Sequence, residues 1–199
     1  MNHIDHSAHH DHDAQVYSKT LFGFWVYLVT DFMLFATFFV TYAVYSRNTM
    51  GGPGPAELFH LPFALSQTLV LLASSFTIGI ASALAHKDKK GASLSWFAIT
   101  FLIAIIFTGM QFHEYGRLVS EGYSWSTNAF LSAFYTLVGM HTLHVLFGLI
   151  WFVLFMISVM SSGYTATNLR RVSCLKMFWQ FIYVIWIFIF TIVYLIGVN

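Results

Sequence analysis

His141 and His144 stand three residues apart in YTLVGMHTLHVLFGLIWF (Tyr135–Phe152), within a run from Ala129 to Ser162 that holds no Asp, Glu, Lys or Arg. On a helix that spacing brings both imidazoles to one face, and Gly148 continues the stripe one turn on. Histidines in so apolar a run either ligate a haem or metal or act as polar glue between helices. As glue, each contact is worth about 0.6 kcal/mol and rarely more than 2. Asp31 lies near the centre of another apolar run, where an ionised carboxylate costs about 2.5–3.5 kcal/mol on the insertion scale. It is either a proton-active or lipid-contacting group, or a protonated carboxyl bonded to a neighbouring helix for packing. Gln111 and Glu114 make a further polar pair near a span end, where Gly109, His113 and Gly116 share a face. At that depth the membrane interface and its waters are expected to satisfy them.

Bis-histidine haem ligation needs two imidazoles at one depth on facing helices. His113 is read at the outer end of the third span, and His141 about 12 residues into the fourth, roughly 18 Å deeper at 1.5 Å per residue. His141 and His144 on one helix cannot sandwich an iron, and His60 and His86 fall in loops on opposite sides. The chain is therefore expected to bind no haem of its own. Cys174 is the only cysteine, which rules out an internal disulfide or a CxxC centre. No phosphate loop, nucleophile elbow, HExxH or carboxylate dyad is present.

These residues need helices to position them. The 199 residues are 58% hydrophobic, 19% aromatic and 9% charged, the composition of a polytopic membrane protein. A net charge near +1 gives no sign of nucleic-acid binding. Residues 1–18, with five histidines and three aspartates, read as a disordered, retained cytoplasmic tail able at most to hold divalent metal weakly. Residues 19–199 read as an all-α bundle of five transmembrane helices, at about 21–45, 61–85, 93–115, 129–160 and 177–198. Lys19, Lys87, Lys89, Lys90, Arg170, Arg171 and Lys176 fall on one side, and Arg47 and Arg117 on the other. The positive-inside rule then puts the N-terminus in the cytoplasm and the C-terminus in the periplasm. Ser75, Gly79 and Ala83, four apart on the second span, predict close packing of helix backbones. Pro62 stands at the start of that span and prolines are absent from span interiors. Broken helices of the transporter kind are therefore not expected.

Five segments in order carry a resemblance: FGFWVYLVTDFMLF (22–35), GGP followed by ELFHLPF (51–63), LVLLASSFTIGIASALAHK (69–87), FLSAFYTLVGMHTLHVLFGLIW (130–151) and CLKMFWQFIYVIWIFIFTIVYLIG (174–197). The chain resembles subunit III of the haem-copper respiratory oxidases, most closely the five-helix form in cytochrome bo-type ubiquinol oxidases. The resemblance implies an accessory, non-catalytic subunit of an oxidase in a bacterial inner membrane. It would pack against subunit I, which carries the haems and copper, alongside subunits II and IV and membrane phospholipid. It also aligns His141 and His144 with the family's GxHxxHV pair, Glu114 and Tyr115 with its EY pair, and Asp31 with a buried glutamate. Gln180 replaces a histidine and Tyr183 an aspartate of the family pattern, and a glutamine cannot titrate; Asp31, Glu114, His141, His144 and Gln180 are read as buried polar residues with a functional or packing role, and Gly148 as a packing residue. Ubiquinol is the donor the resemblance implies; cytochrome c or a menaquinol is the alternative, and a free-standing transporter or proton channel is a rival of another class.

Overall fold

The computed structural model describes residues 3–46, 48–49, 51 and 54–198, with side chains from Gln15 to Gly197. Arg47, Gly52 and Pro53 lie outside the described residues. Helix α1 runs His3–Tyr45, α2 Pro55–Leu58, α3 Leu61–His86, α4 Lys90–Ser120, α5 Ala129–Ser162 and α6 Ala166–Ile189. A π-helical turn, Phe190–Leu195, and a last short α7, Ile196–Val198, complete α6. Five of these elements are long and apolar enough to cross a membrane.

Local chemistry sets the boundaries. Pro55 and Pro62 stand in the first turns of α2 and α3, where a missing N–H costs nothing. Asn128 caps α5 by accepting from the Leu131 N–H at 2.8 Å, and Gly163 ends that helix at φ 67, a left-handed geometry that glycine adopts freely. Thr165 caps α6 through the Asn168 N–H. α6 therefore begins 11 residues before the apolar span expected from 177, its polar first turns preceding the apolar run. The stretch expected to be a disordered tail is helical from His3. Extending a formed helix costs far less than nucleating one.

α3 packs along α4, and α3 and α5 both pack on α6; α1 lies at the edge, chiefly against α5 and α6. Only 11% of the most apolar window of α1 is buried, against 44% for that of α6. Lipid gives no hydrophobic drive for one helix to seek another, so close approach and hydrogen bonds hold such bundles together. Ser93 donates to the Ala81 carbonyl at 2.7 Å, and Thr100 to Thr77 at 2.8 Å, joining α3 to α4. The Trp179 and Trp186 indoles of α6 donate to Ser74 at 2.7 Å and Thr68 at 3.1 Å on α3. At Gly148 an added Cβ would stand 3.0 Å from the Phe178 ring and 3.2 Å from Trp179. A larger residue at Gly148 would therefore meet the aromatic face of α6.

The Ser75–Gly79–Ala83 stripe is not such a contact. Ser75 and Gly79 are half-buried and Ala83 is exposed, and a Cβ on Gly79 would meet nothing within 4 Å. The buried face of α3 is one residue earlier, through Ser74, Ile78, Ala81, Ser82 and Ala85. Both registers carry small residues at helical spacing. The Trp179 and Thr100 hydrogen bonds choose the Ser74–Thr77 side.

Candidate functional site

The two histidines share a helix face but have different partners. His141 is enclosed, with its ring 5.2 Å from that of Trp186 and 6.2 Å from that of Phe107. Its Nε2 lies 3.1 Å from the Ile182 carbonyl. A carbonyl only accepts, so Nε2 carries the hydrogen. His144 Nδ1 lies 2.9 Å from its own helix carbonyl at Met140 and donates by the same reasoning. Its Nε2 faces Asp31 Oδ2 across 3.5 Å, a loose pair with each side chain about 15% exposed. The pair lies in the seam between α1 and α5, with the Phe35 ring 5.0 Å from His144.

A second polar group lies toward the other end of the bundle. Glu114 is 1% exposed and Gln111 and Gln67 are fully buried, with Gln67 Nε2 donating to Gln111 Oε1 at 3.4 Å. Arg117 donates to the Leu58 carbonyl at 2.8 Å and to Glu121 at 3.1 Å, and its guanidinium stands 4.0 Å from Glu114. Tyr115 reaches Thr142 at 3.0 Å. Gln111 and Glu114 were expected at the interface. They are enclosed within the bundle instead, on the face of α4 where Gln111 meets Gln67 of α3. Gln67 and the Arg117 clamp were not singled out in the sequence; the signal for Gln67 was a lone amide in an otherwise apolar span.

Gln180, grouped with the buried polar residues, is exposed. It opens onto a groove between α1 and α6 of about 360 Å³, lined also by Trp25, Leu28, Phe32 and Phe181.

The depth argument on haem also changes. Side chains of α4 on both sides of His113 reach the level of His141, the Phe107 ring standing 6.2 Å from it and Tyr115 bonding Thr142 at 3.0 Å, so the 18 Å offset does not hold. What separates them is direction: His113 lies exposed beside Phe63 on the outside of α4, while His141 is enclosed. Among the described residues no group of three or more His, Cys, Asp or Glu side chains could hold a metal ion.

Residues 3–198 match the model of the family described as cytochrome c oxidase subunit III. The chain belongs to that family. It is 47% identical to subunit 3 of the cytochrome bo(3) ubiquinol oxidase of Pseudomonas aeruginosa, covering 96% of this chain and 93% of that protein. It is 41% identical to cytochrome c oxidase subunit 3 of Bacillus sp. strain PS3, over 94% and 91% of the two chains. With the quinol oxidase subunit 3 of Bacillus subtilis it shares 35% identity over its whole length.

Proposed function

We propose that the chain is the accessory, non-catalytic subunit III of a ubiquinol-oxidising, proton-pumping haem-copper oxidase in a bacterial inner membrane. It packs against subunit I, which carries the haems and copper, in a complex with subunits II and IV and phospholipid. The observation that carries this reading is the 47% identity to a bo(3) ubiquinol oxidase subunit 3 across nearly the full length of both chains. The wide apolar exterior supports it, with Phe22, Met33, Val40 and Val44 on α1 each more than 60% exposed. In this reading the N-terminus is cytoplasmic and the C-terminus periplasmic, supported by the seven-to-two division of basic residues.

Asp31 and His144 are proposed to hold a proton at mid-membrane depth and to steady the partner's turnover. Glu114, His141 and Gly148 serve packing. A second reading, with cytochrome c as electron donor, is favoured by the 41% identity to a cytochrome c oxidase subunit 3.

The test is purification on a C-terminal tag in mild detergent, with haem and oxidase activity measured before and after a harsher wash. Haem arriving with a large partner and leaving with it is expected, with turnover faster on ubiquinol than on reduced cytochrome c. A chain that comes down alone and catalyses transport in liposomes would replace this reading with a transporter.

A further inference from the structure

Six buried side-chain atoms around Glu114 lack a hydrogen-bond partner among the described residues: Tyr42 Oη, Gln67 Oε1, Gln111 Nε2, both Glu114 carboxyl oxygens and Tyr194 Oη. They come from α1, α3, α4 and the π-helical turn after α6. Tyr194 lies within electrostatic reach of Glu114, Tyr42 and Arg117. The Gln67 amide stands close to the Glu114 carboxyl, with no hydrogen bond formed between them. The 4.0 Å from Glu114 to Arg117 is also too long for one. Polar groups from four elements are thus gathered in one place without direct bonds among them.

Turning the amides does not remove the deficit. One bond joins Gln67 to Gln111, so either orientation leaves one oxygen and one NH2 group over. Partners from outside cannot reach them, since all five residues are at most 2% exposed. α2 and α7 close over Tyr42, where a Cβ on Gly197 would stand 3.2 Å from Pro55 and 3.5 Å from Tyr42 Oη.

The local backbone serves this arrangement. The buried face of α6 runs through Ile182, Ile185 and Ile189, and Val193 continues it. The wider π-helical turn brings Tyr194 inside as well, with its ring 5.1 Å from that of Phe59. Single π-helical turns within α-helices recur at functional sites.

The mixture of donors and acceptors selects the occupant. The Glu114 carboxyl opposes an anion. The Arg117 guanidinium already supplies positive charge, and an unpaired amide N–H opposes a cation. Water both donates and accepts. Buried waters make about three hydrogen bonds each, so six atoms call for about two of them. Native proteins seldom leave buried polar atoms unpaired.

We infer that Tyr42, Gln67, Gln111, Glu114 and Tyr194 enclose a site for ordered water, which joins α1, α3, α4 and the turn after α6. Elsewhere in the bundle direct bonds make such joints, as between Thr100 and Thr77 or Trp179 and Ser74. The inference rests on this chain's own residues and not on the identity of the electron donor.

The first experiment is a cryo-electron microscopy map of the wild-type chain, purified with the subunits that accompany it, at a resolution that shows ordered water. Density within hydrogen-bonding distance of both Glu114 and Tyr194 is expected. Side chains that close directly on one another, or a peak at distances fitting a metal ion, would overturn the inference. The second is thermal unfolding of Tyr194→Phe, which keeps the ring against Phe59 and removes only the hydroxyl. A hydroxyl bonded to water is lost at a cost, so the midpoint should fall by about 2–4 °C. A hydroxyl that is buried and unpaired is better removed, so a midpoint equal to or above wild type would sink the proposal.

Discussion

α6 and α1 touch each other, yet they are held by different means. α6 is tied to α3 by two indole N–H groups, on Ser74 and Thr68, and interlocks with α5 at Gly148. Among the described residues, α1 reaches another helix through the Tyr17–Ser173 hydrogen bond at 2.8 Å and the loose Asp31–His144 pair. Its threonines bond back to their own helix. A helix whose polar groups are committed to neighbours in its chain is structural. One that keeps its charge at a half-open seam and its apolar face outward is available to partners and lipid.

The largest expected effect is at Gly148. Gly148→Leu would drive a side chain into Phe178 and Trp179, and overpacking of this kind costs about 1–3 kcal/mol or more. Thermal unfolding of the detergent-solubilised subunit should fall sharply, and membrane levels with it. Normal levels and melting would show that the α5–α6 contact is not tight.

Trp179→Phe is next, removing an indole N–H and leaving a void, for about 2 kcal/mol. In a double-mutant cycle with Ser74→Ala, about 0.6–1.7 kcal/mol should be coupling between the two residues. Zero coupling would remove this hydrogen bond from the account of how α6 is held.

His141→Leu follows, at about 1 kcal/mol of stability, since the enclosed imidazole loses its bond to the Ile182 carbonyl. From sequence this change would be expected to loosen the partner. Enclosure moves the effect to the bundle's own melting, with the optical spectrum unchanged. A lost haem band in a complex that is still assembled would contradict the assignment of His141 to packing.

Asp31→Asn should change stability least. An amide keeps the size and polarity of the carboxyl beside His144 Nε2 but cannot ionise. Haem content should be retained, with oxidase activity declining faster over repeated turnover. Activity and persistence equal to wild type would leave Asp31 with a packing role alone.

The number and class of the helices, and the mid-span positions of Asp31, His141 and His144, were legible in the sequence. Charge-free runs of this length have one way to satisfy their backbone in lipid, and that rule needs no knowledge of neighbours. Asp31 and His144 could be singled out because a polar side chain there is expensive wherever it points. Rotation about the helix axis was not legible. Ser74 and Ser75 are equally small, His141 and His144 equally polar, and Gln180 gave no sign that it faced outward. Tertiary structure decided which of each pair is enclosed, because apolar side chains surround all faces of these helices and no hydrophobic stripe marks the inside. The contacts among α3, α4, α5 and α6 identify it, and they leave Asp31, His144 and Gln180 along the margins of α1.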